Sequence, residues 1–298
     1  MSRSRRTLTA LGMLAATGIA LTGCFGSSAA SAPEPSASAT TTADAYPMTF
    51  DNCGTDVTFE SAPERVLAIK STSIEMLLAL GLADRIVGTA FSDGPVAEEW
   101  ADAADGVPVI SDKVPGQEAT LELEPDLVYA GWESNLSAEG VGERDALATL
   151  GVNSYVSPAA CQREGYQPNP LMFDEVFAEI YQVGQIFGVQ ERAQALIDDQ
   201  RERLDAVTPD DRQLTALWYS SGSDTPFVGG TIGAPQMIMR EVGLENIANV
   251  PETWSSLSWE AVVDANPDVI VLVDSAWGST EKKIGVLESN PATAALPA

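Results

Sequence analysis

Lys70, Ser71 and Thr72 follow the apolar run Val66-Leu67-Ala68-Ile69, and Phe91 follows a second run of the same kind. Trp132 and Glu133 follow a third, and Ser157 a fourth. In the second half of the chain Tyr219, Phe227, Gly229, Gly230, Trp254 and Trp277 hold comparable positions around later runs. These side chains suit capture rather than cleavage. Aromatic rings stack on flat conjugated ligands, and a lysine can neutralise a phosphate or carboxylate. In doubly wound sheets ligands lie beyond the carboxyl ends of the strands, which is the rule that selects these residues. The alternative for each aromatic is burial within its own half of the molecule.

The chain has no histidine. Ser-His-Asp and Cys-His catalysis are therefore excluded, and the imidazole often used to capture zinc or to ligate haem is missing. Gly229 and Gly230 lack the Lys-Ser/Thr that a phosphate cradle requires. No catalytic residue, metal ligand or cofactor is assigned. Carboxylate-only hydrolysis through Glu133 or Asp274 stays open as a rival of another class.

The elements that must position these residues are legible as alternating units. Asn52 to Thr55 carries turn chemistry between two short alternating runs and predicts a β-hairpin. Arg65 to Lys70 reads as a strand, Ile74 to Leu80 as a helix ending at Gly81, and Arg85 to Ala90 as a strand. That is a βαβ unit and implies a parallel sheet. Strands at Val107–Ile110, Asp126–Ala130 and Val152–Val156, with helices between them, continue the pattern. The expectation is an α/β fold of two lobes with mainly parallel sheets, joined by a long helix. The first lobe covers 46–170, the linking helix 171–209 and the second lobe 210–298. Within the linker, Val176, Ile180, Val183, Ile186 and Phe187 recur at helical spacing. The segment is either one helix of roughly 45 Å, kinked near Gly188, or a two-helix hairpin broken there.

The N-terminus reads as an address. Arg3, Arg5 and Arg6 precede an apolar run from Leu8 to Leu21, the layout of a secretory signal over 1–23. The run ends in Leu21-Thr22-Gly23-Cys24, similar to a bacterial lipobox in which Cys24 is lipidated. The Ser-, Ala-, Thr- and Pro-rich stretch to Ala45 predicts a flexible tether over 24–45. Localisation is then outside the cytoplasm, on a membrane lipid anchor. Removing the three arginines from the 16 basic residues leaves 13 against 43 acidic ones, which argues against nucleic acid and anionic lipid as partners. With Cys24 in the anchor, Cys53 and Cys161 are expected to form a disulfide in an oxidising compartment.

The most informative feature is a repeat. Glu118-Ala119, followed by Pro125-Asp126 and an apolar strand, matches Glu260-Ala261, followed by Pro267-Asp268 and another. On this repeat, the opening strand and helix and the linker, the chain resembles the helix-linked class of ABC-importer solute-binding proteins, those for siderophores, haem and cobalamin. Asp51-Asn52-Cys53-Gly54 and Tyr129-Ala130-Gly131-Trp132 are further similar to an actinobacterial subgroup associated with a deazaflavin precursor of coenzyme F420. The resemblance implies a monomer that holds a small molecule between its lobes and docks on a membrane permease dimer through Glu118 and Glu260. It implies an anionic aromatic ligand, with a ferric siderophore or a corrinoid as the alternative. The first lobe follows its Pro-Asp strand with a helix and the strand Val152–Val156, whereas the second stops without the expected last strand and terminal helix, so the sequence is expected to be truncated at Ala298.

Overall fold

The computed structural model describes residues 45–298. The expected signal, Cys24 and nearly all of the tether lie outside the described residues. A hairpin opens the body, β1 (Met48–Asn52) against β2 (Thr55–Phe59), turning at Cys53 and Gly54. There follow β3 (Val66–Ile69), α1 (Ser71–Ala79), β4 (Ile86–Ala90), α2 (Ala101–Ala104), β5 (Val109–Ser111), α3 (Gln117–Leu121), β6 (Leu127–Ala130), α4 (Arg144–Thr149) and β7 (Asn153–Val156). The five strands after the hairpin form one parallel sheet in the order β5-β4-β3-β6-β7.

The sheet is covered on both faces, and the sequence shows why. All four residues of β3 and of β6 are buried. Val66, Ala68, Leu127 and Tyr129 belong to the core beneath α1 and the helices after the lobe. Leu67, Ile69, Val128 and Ala130 pack in a second core on the opposite face. Continuous apolar runs of this kind mark central parallel strands.

The linker is two helices, α5 (Phe173–Ile186) and α6 (Gln190–Asp205). Of the two readings the sequence left open, the hairpin is the one that forms. Gly188 adopts φ of +68°, a left-handed conformation that glycine enters without a Cβ penalty and that ends a helix. The helices fold back on each other, with Arg201 Nη2 2.9 Å from Asp174 Oδ1. Phe177, Ile180, Val183, Ala193 and Ile197 all pack on the first lobe.

The second lobe comprises β8 (Thr215–Ser221), β9 (Phe227–Gly229), α7 (Ala234–Glu241), β10 (Glu245–Asn246), β11 (Trp254–Ser256), α8 (Trp259–Ala265), β12 (Val269–Leu272) and α9 (Thr280–Ser289). Its centre is β8, paired in parallel with β12 and β10 and antiparallel with β9, which carries β11. The antiparallel β9–β11 pair was not expected from the sequence. Backbone bonds join the halves directly: Leu171 N–H donates to the Ile232 carbonyl at 2.8 Å, and Ala276 N–H to that of Asp93 at 2.7 Å. Among the described residues no helix is long and apolar enough to cross a membrane.

Candidate functional site

A cleft of about 770 Å³ lies between the lobes. The first lobe supplies Thr72 at the start of α1, Gly131 and Trp132 beyond β6, and Ser157 beyond β7. The second supplies Ile232, the first turn of α7 and the loop leading to Trp254 in β11. Helix α5 forms the floor with Val176 and Glu179. Of the first-lobe residues that the strand-end rule selects, Thr72, Trp132 and Ser157 line the cleft, opposite Trp254.

Lys70 does not face this cleft. It sits at φ of +81° and is 3 % exposed, with its ammonium paired to the Asp93 carboxylate. Phe91 and Trp277 stand beside it, their ring centroids 4.1 and 5.0 Å from Nζ, and Trp132 lies at 5.9 Å. Ser71 completes the knot: its hydroxyl accepts from Asp93 N–H at 2.9 Å. Lys70, Ser71, Phe91 and Trp277, expected to contact a ligand, are not among the residues that line the cleft. They form an ion-pair clasp boxed by aromatic rings, one ring coming from the second lobe.

Tyr219, Phe227, Gly229, Gly230 and Glu133 likewise lie outside the cleft lining. Tyr219 lies within β8, is 1 % exposed and packs edge-on against Trp259 with centroids 5.3 Å apart. Its hydroxyl donates to the Gly222 carbonyl at 2.6 Å. Phe227 stacks on Trp254 at 6.2 Å and 14°, which steadies that ring without lining the cleft itself. Gly229 and Gly230 permit close packing: a Cβ would fall 2.3 Å from Pro235 Cβ and 2.1 Å from the Glu252 carbonyl oxygen respectively. Glu133 accepts from the backbone N–H of Gln162, while Asp274 accepts from Thr280 N–H at 3.2 Å. Neither carboxylate lines the cleft.

The cleft residue that the sequence did not point to is Glu179. It is 6 % exposed, and its Oε1 and Oε2 accept from Tyr129 Oη at 2.9 Å and Ser157 Oγ at 3.0 Å. Burial pushes its carboxyl up to about 7, the two hydroxyl donors opposing the shift. The same burial, with Glu179 nearby, pushes the phenols of Tyr129 and Tyr155 well above their ordinary value. A signal was available: Glu179 interrupts the apolar stripe between Val176 and Val183 on one face of α5. Gln162 and Gln167 also line the cleft. They come from the loop that Cys161 ties to Cys53 through a disulfide, with Cα atoms 5.3 Å apart.

The lining residues include Glu179 and Glu252 but no Lys, Arg or His. Such a surface can stack, hydrogen-bond and accept donors, and it offers no full charge to an anion.

A model of the family described as periplasmic binding protein matches residues 66–298. The chain belongs to that family. The periplasmic binding protein described here is 26 % identical over 259 residues to the ABC transporter substrate-binding lipoprotein YvrC of Bacillus subtilis, covering 83 % of this chain and 76 % of that one. It is 27 % identical over 247 residues to a cobalamin-binding protein of Halobacterium salinarum, covering 78 % of this chain and 60 % of the relative. Among solved structures, a periplasmic binding protein from Veillonella parvula superposes with a TM-score of 0.72 at 28 % identity, covering 85 % and 86 % of the two chains. The ABC-type Fe3+-hydroxamate transport protein of Saccharomonospora viridis gives 0.71 at 26 %, covering 85 % and 88 %. The fold is accordingly that of the two-lobed, mainly parallel α/β binding proteins. Proteins of this kind take up small ligands outside the cytoplasm and work with membrane permeases.

Proposed function

We propose that this binding protein captures a bulky, non-anionic metal chelate in the interlobe cleft and hands it to an ABC importer, with a corrinoid as the first candidate. The observation that carries the reading is the cleft itself. About 770 Å³ is framed by Trp132 and Trp254 from opposite lobes, with glutamines and carboxylates but no cation in its wall. Aromatic and amide groups suit the faces and amide arms of a corrinoid. The relative that is a cobalamin-binding protein supports this choice. A ferric hydroxamate is the second reading, favoured by the Saccharomonospora likeness. An anionic deazaflavin precursor is disfavoured, because Lys70, the cation expected to receive it, is engaged by Asp93.

The remaining parts of the proposal concern assembly. Cys24 carries the lipid anchor, residues 46–170 and 210–298 act as the two lobes of a monomer, and Glu118 and Glu260 dock on a permease dimer. Both glutamates are exposed and both are the second residue of their helices, α3 and α8.

Thermal unfolding with cyanocobalamin and with an uncharged ferric trihydroxamate tests the ligand class. Binding at a hundredfold excess over Kd raises stability by about 2.7 kcal/mol. A shift with either chelate supports the proposal. No shift with both, alongside a shift with an anionic deazaflavin, would reverse it.

A further inference from the structure

A side pocket of about 260 Å³ opens beside the cleft, between the segment Pro158–Leu171 and the first turns of α5. The two spaces share Ala159, Gln167, Leu171, Val176 and Glu179, so Glu179 stands where they meet. A space of this size is too small for a whole cofactor-sized ligand, whose sites run from about 300 to 1,000 Å³. It is large enough for one arm of such a ligand.

The chemistry of the wall is one-sided. Its ionisable groups are Glu175, Glu179 and the phenol of Tyr166. Glu175 is already used, accepting from Met172 N–H at 2.7 Å to close the first turn of α5. Arg163 packs over the Tyr166 ring but is directed to the Gly54 carbonyl at 2.7 Å. Glu179 is different. Each of its oxygens accepts a single hydroxyl, from Tyr129 and from Ser157, which leaves about two of its four acceptor positions unused. No salt bridge among the described residues includes it. A buried carboxylate without a cation is costly, and a glutamine of the same shape would keep both contacts without a charge, its carbonyl accepting one hydroxyl and its amide N–H donating to the other hydroxyl oxygen. A cation entering beside Glu179 would turn that cost into a charge-assisted hydrogen bond.

We propose that the side pocket is a subsite for a cationic arm of the ligand, a primary ammonium or guanidinium group whose N–H donors reach Glu179 at the pocket mouth. The subsite rests on the receptor reading for the rest of the ligand, and its own test does not need that ligand.

The probes are benzylammonium, benzyl alcohol and benzoate, titrated by calorimetry into the full chain at about pH 8, where the amine is charged. Benzylammonium is expected to bind at least about tenfold more tightly than benzyl alcohol, as a hydrogen bond to a charged group implies, with benzoate the weakest. Glu179→Gln should remove the preference while circular dichroism shows an unchanged fold, and Glu179→Asp should keep part of it. Equal affinities for amine and alcohol, no binding of the amine, or a preference that survives in Glu179→Gln would overturn the subsite. Cyanocobalamin, titrated in parallel, reports on the receptor reading alone. Its failure to bind beside an intact amine preference would count against the ligand class and leave the subsite standing.

Discussion

Asp126 and Asp268 hold the same station in the two lobes. Asp126 accepts from the backbone N–H groups of Glu64 and Arg65 at 2.7 and 3.0 Å, just ahead of β3. Asp268 accepts from Thr215 N–H and Thr215 Oγ, both at 2.9 Å, at the start of β8. Each aspartate also donates its own N–H to the carbonyl of the residue it holds, Arg65 or Thr215. The residue two places earlier is left-handed in both, Glu124 at φ of +48° and Asn266 at +47°. The Pro-Asp repeat is thus a pin that fixes the register of one parallel strand on the next.

Asp126→Ala and Asp268→Ala should each lower the urea midpoint of unfolding, because each strands backbone donors at a strand origin. The sites lie in separate lobes with no shared partner, so the double variant should show the sum of the two losses. Thr215 holds Asp268 below the ordinary carboxylate range. Its share of stability is therefore present above the unfolded-state value and fades as pH falls through the folded one. Urea titrations from neutral to acid pH check both statements.

How much of this was legible depended on whether the determining pattern was local. Val66–Ile69 and Leu127–Ala130 are apolar throughout, and a run of that kind between turn residues has few readings other than a buried parallel strand. Residues 259–265 carry their own start in Ser258, whose hydroxyl accepts from Ala261 N–H at 3.1 Å, a local signal of the kind that caps a helix. The break at Gly188 was visible only as one of two options, since glycine permits but does not force a left-handed turn. The site was less readable for a physical reason. Trp132 and Trp254 were found from their place in the chain, but Tyr219 could point to either face of β8, and only packing against Trp259 decides it. Lys70 looked like a free cation because Asp93, 23 residues away, gives no local sign of pairing with it. Glu179 was overlooked because a charge within an apolar stripe declares itself only when the face it occupies is known to be buried.

Glu179 should impose a pH dependence on stability. Its folded value, about 7, lies above the ordinary 4.5, so the native state favours the protonated form. Below the ordinary value both states are protonated and the contribution is complete. As pH rises through the window to about 7 the unfolded chain ionises first, and on the order of 3 kcal/mol is lost. Glu179→Gln should match the parent near pH 4.5 and exceed its Tm above pH 7. Parallel melting curves across that range check it, and identical curves for the two proteins would contradict the assignment.

The clasp around Lys70 should be structural. Asp93→Asn leaves a buried ammonium without its carboxylate, a loss of about 1–3 kcal/mol after allowing for the partial exposure of Asp93. Lys70→Met removes both the charge and its need for a partner and should cost less. Neither change should weaken an anionic ligand selectively, because the pair lies outside the cleft lining. Denaturant midpoints and ligand titrations on both variants separate these outcomes.

Glu118 and Glu260 should matter only to the permease. Replacing both with Ala should leave ligand affinity and Tm within experimental spread, since both are exposed first-turn residues, and should abolish uptake by reconstituted importer. Uptake at the parental rate would refute the docking role.

Calorimetric titration of cyanocobalamin into the parent, Trp132→Ala and Trp254→Ala measures whether one ligand is held by both halves at once. Each substitution should weaken binding by about tenfold or more, as loss of a stacking aromatic does. Affinity that survives either change intact would mean that the ligand is not held between the lobes.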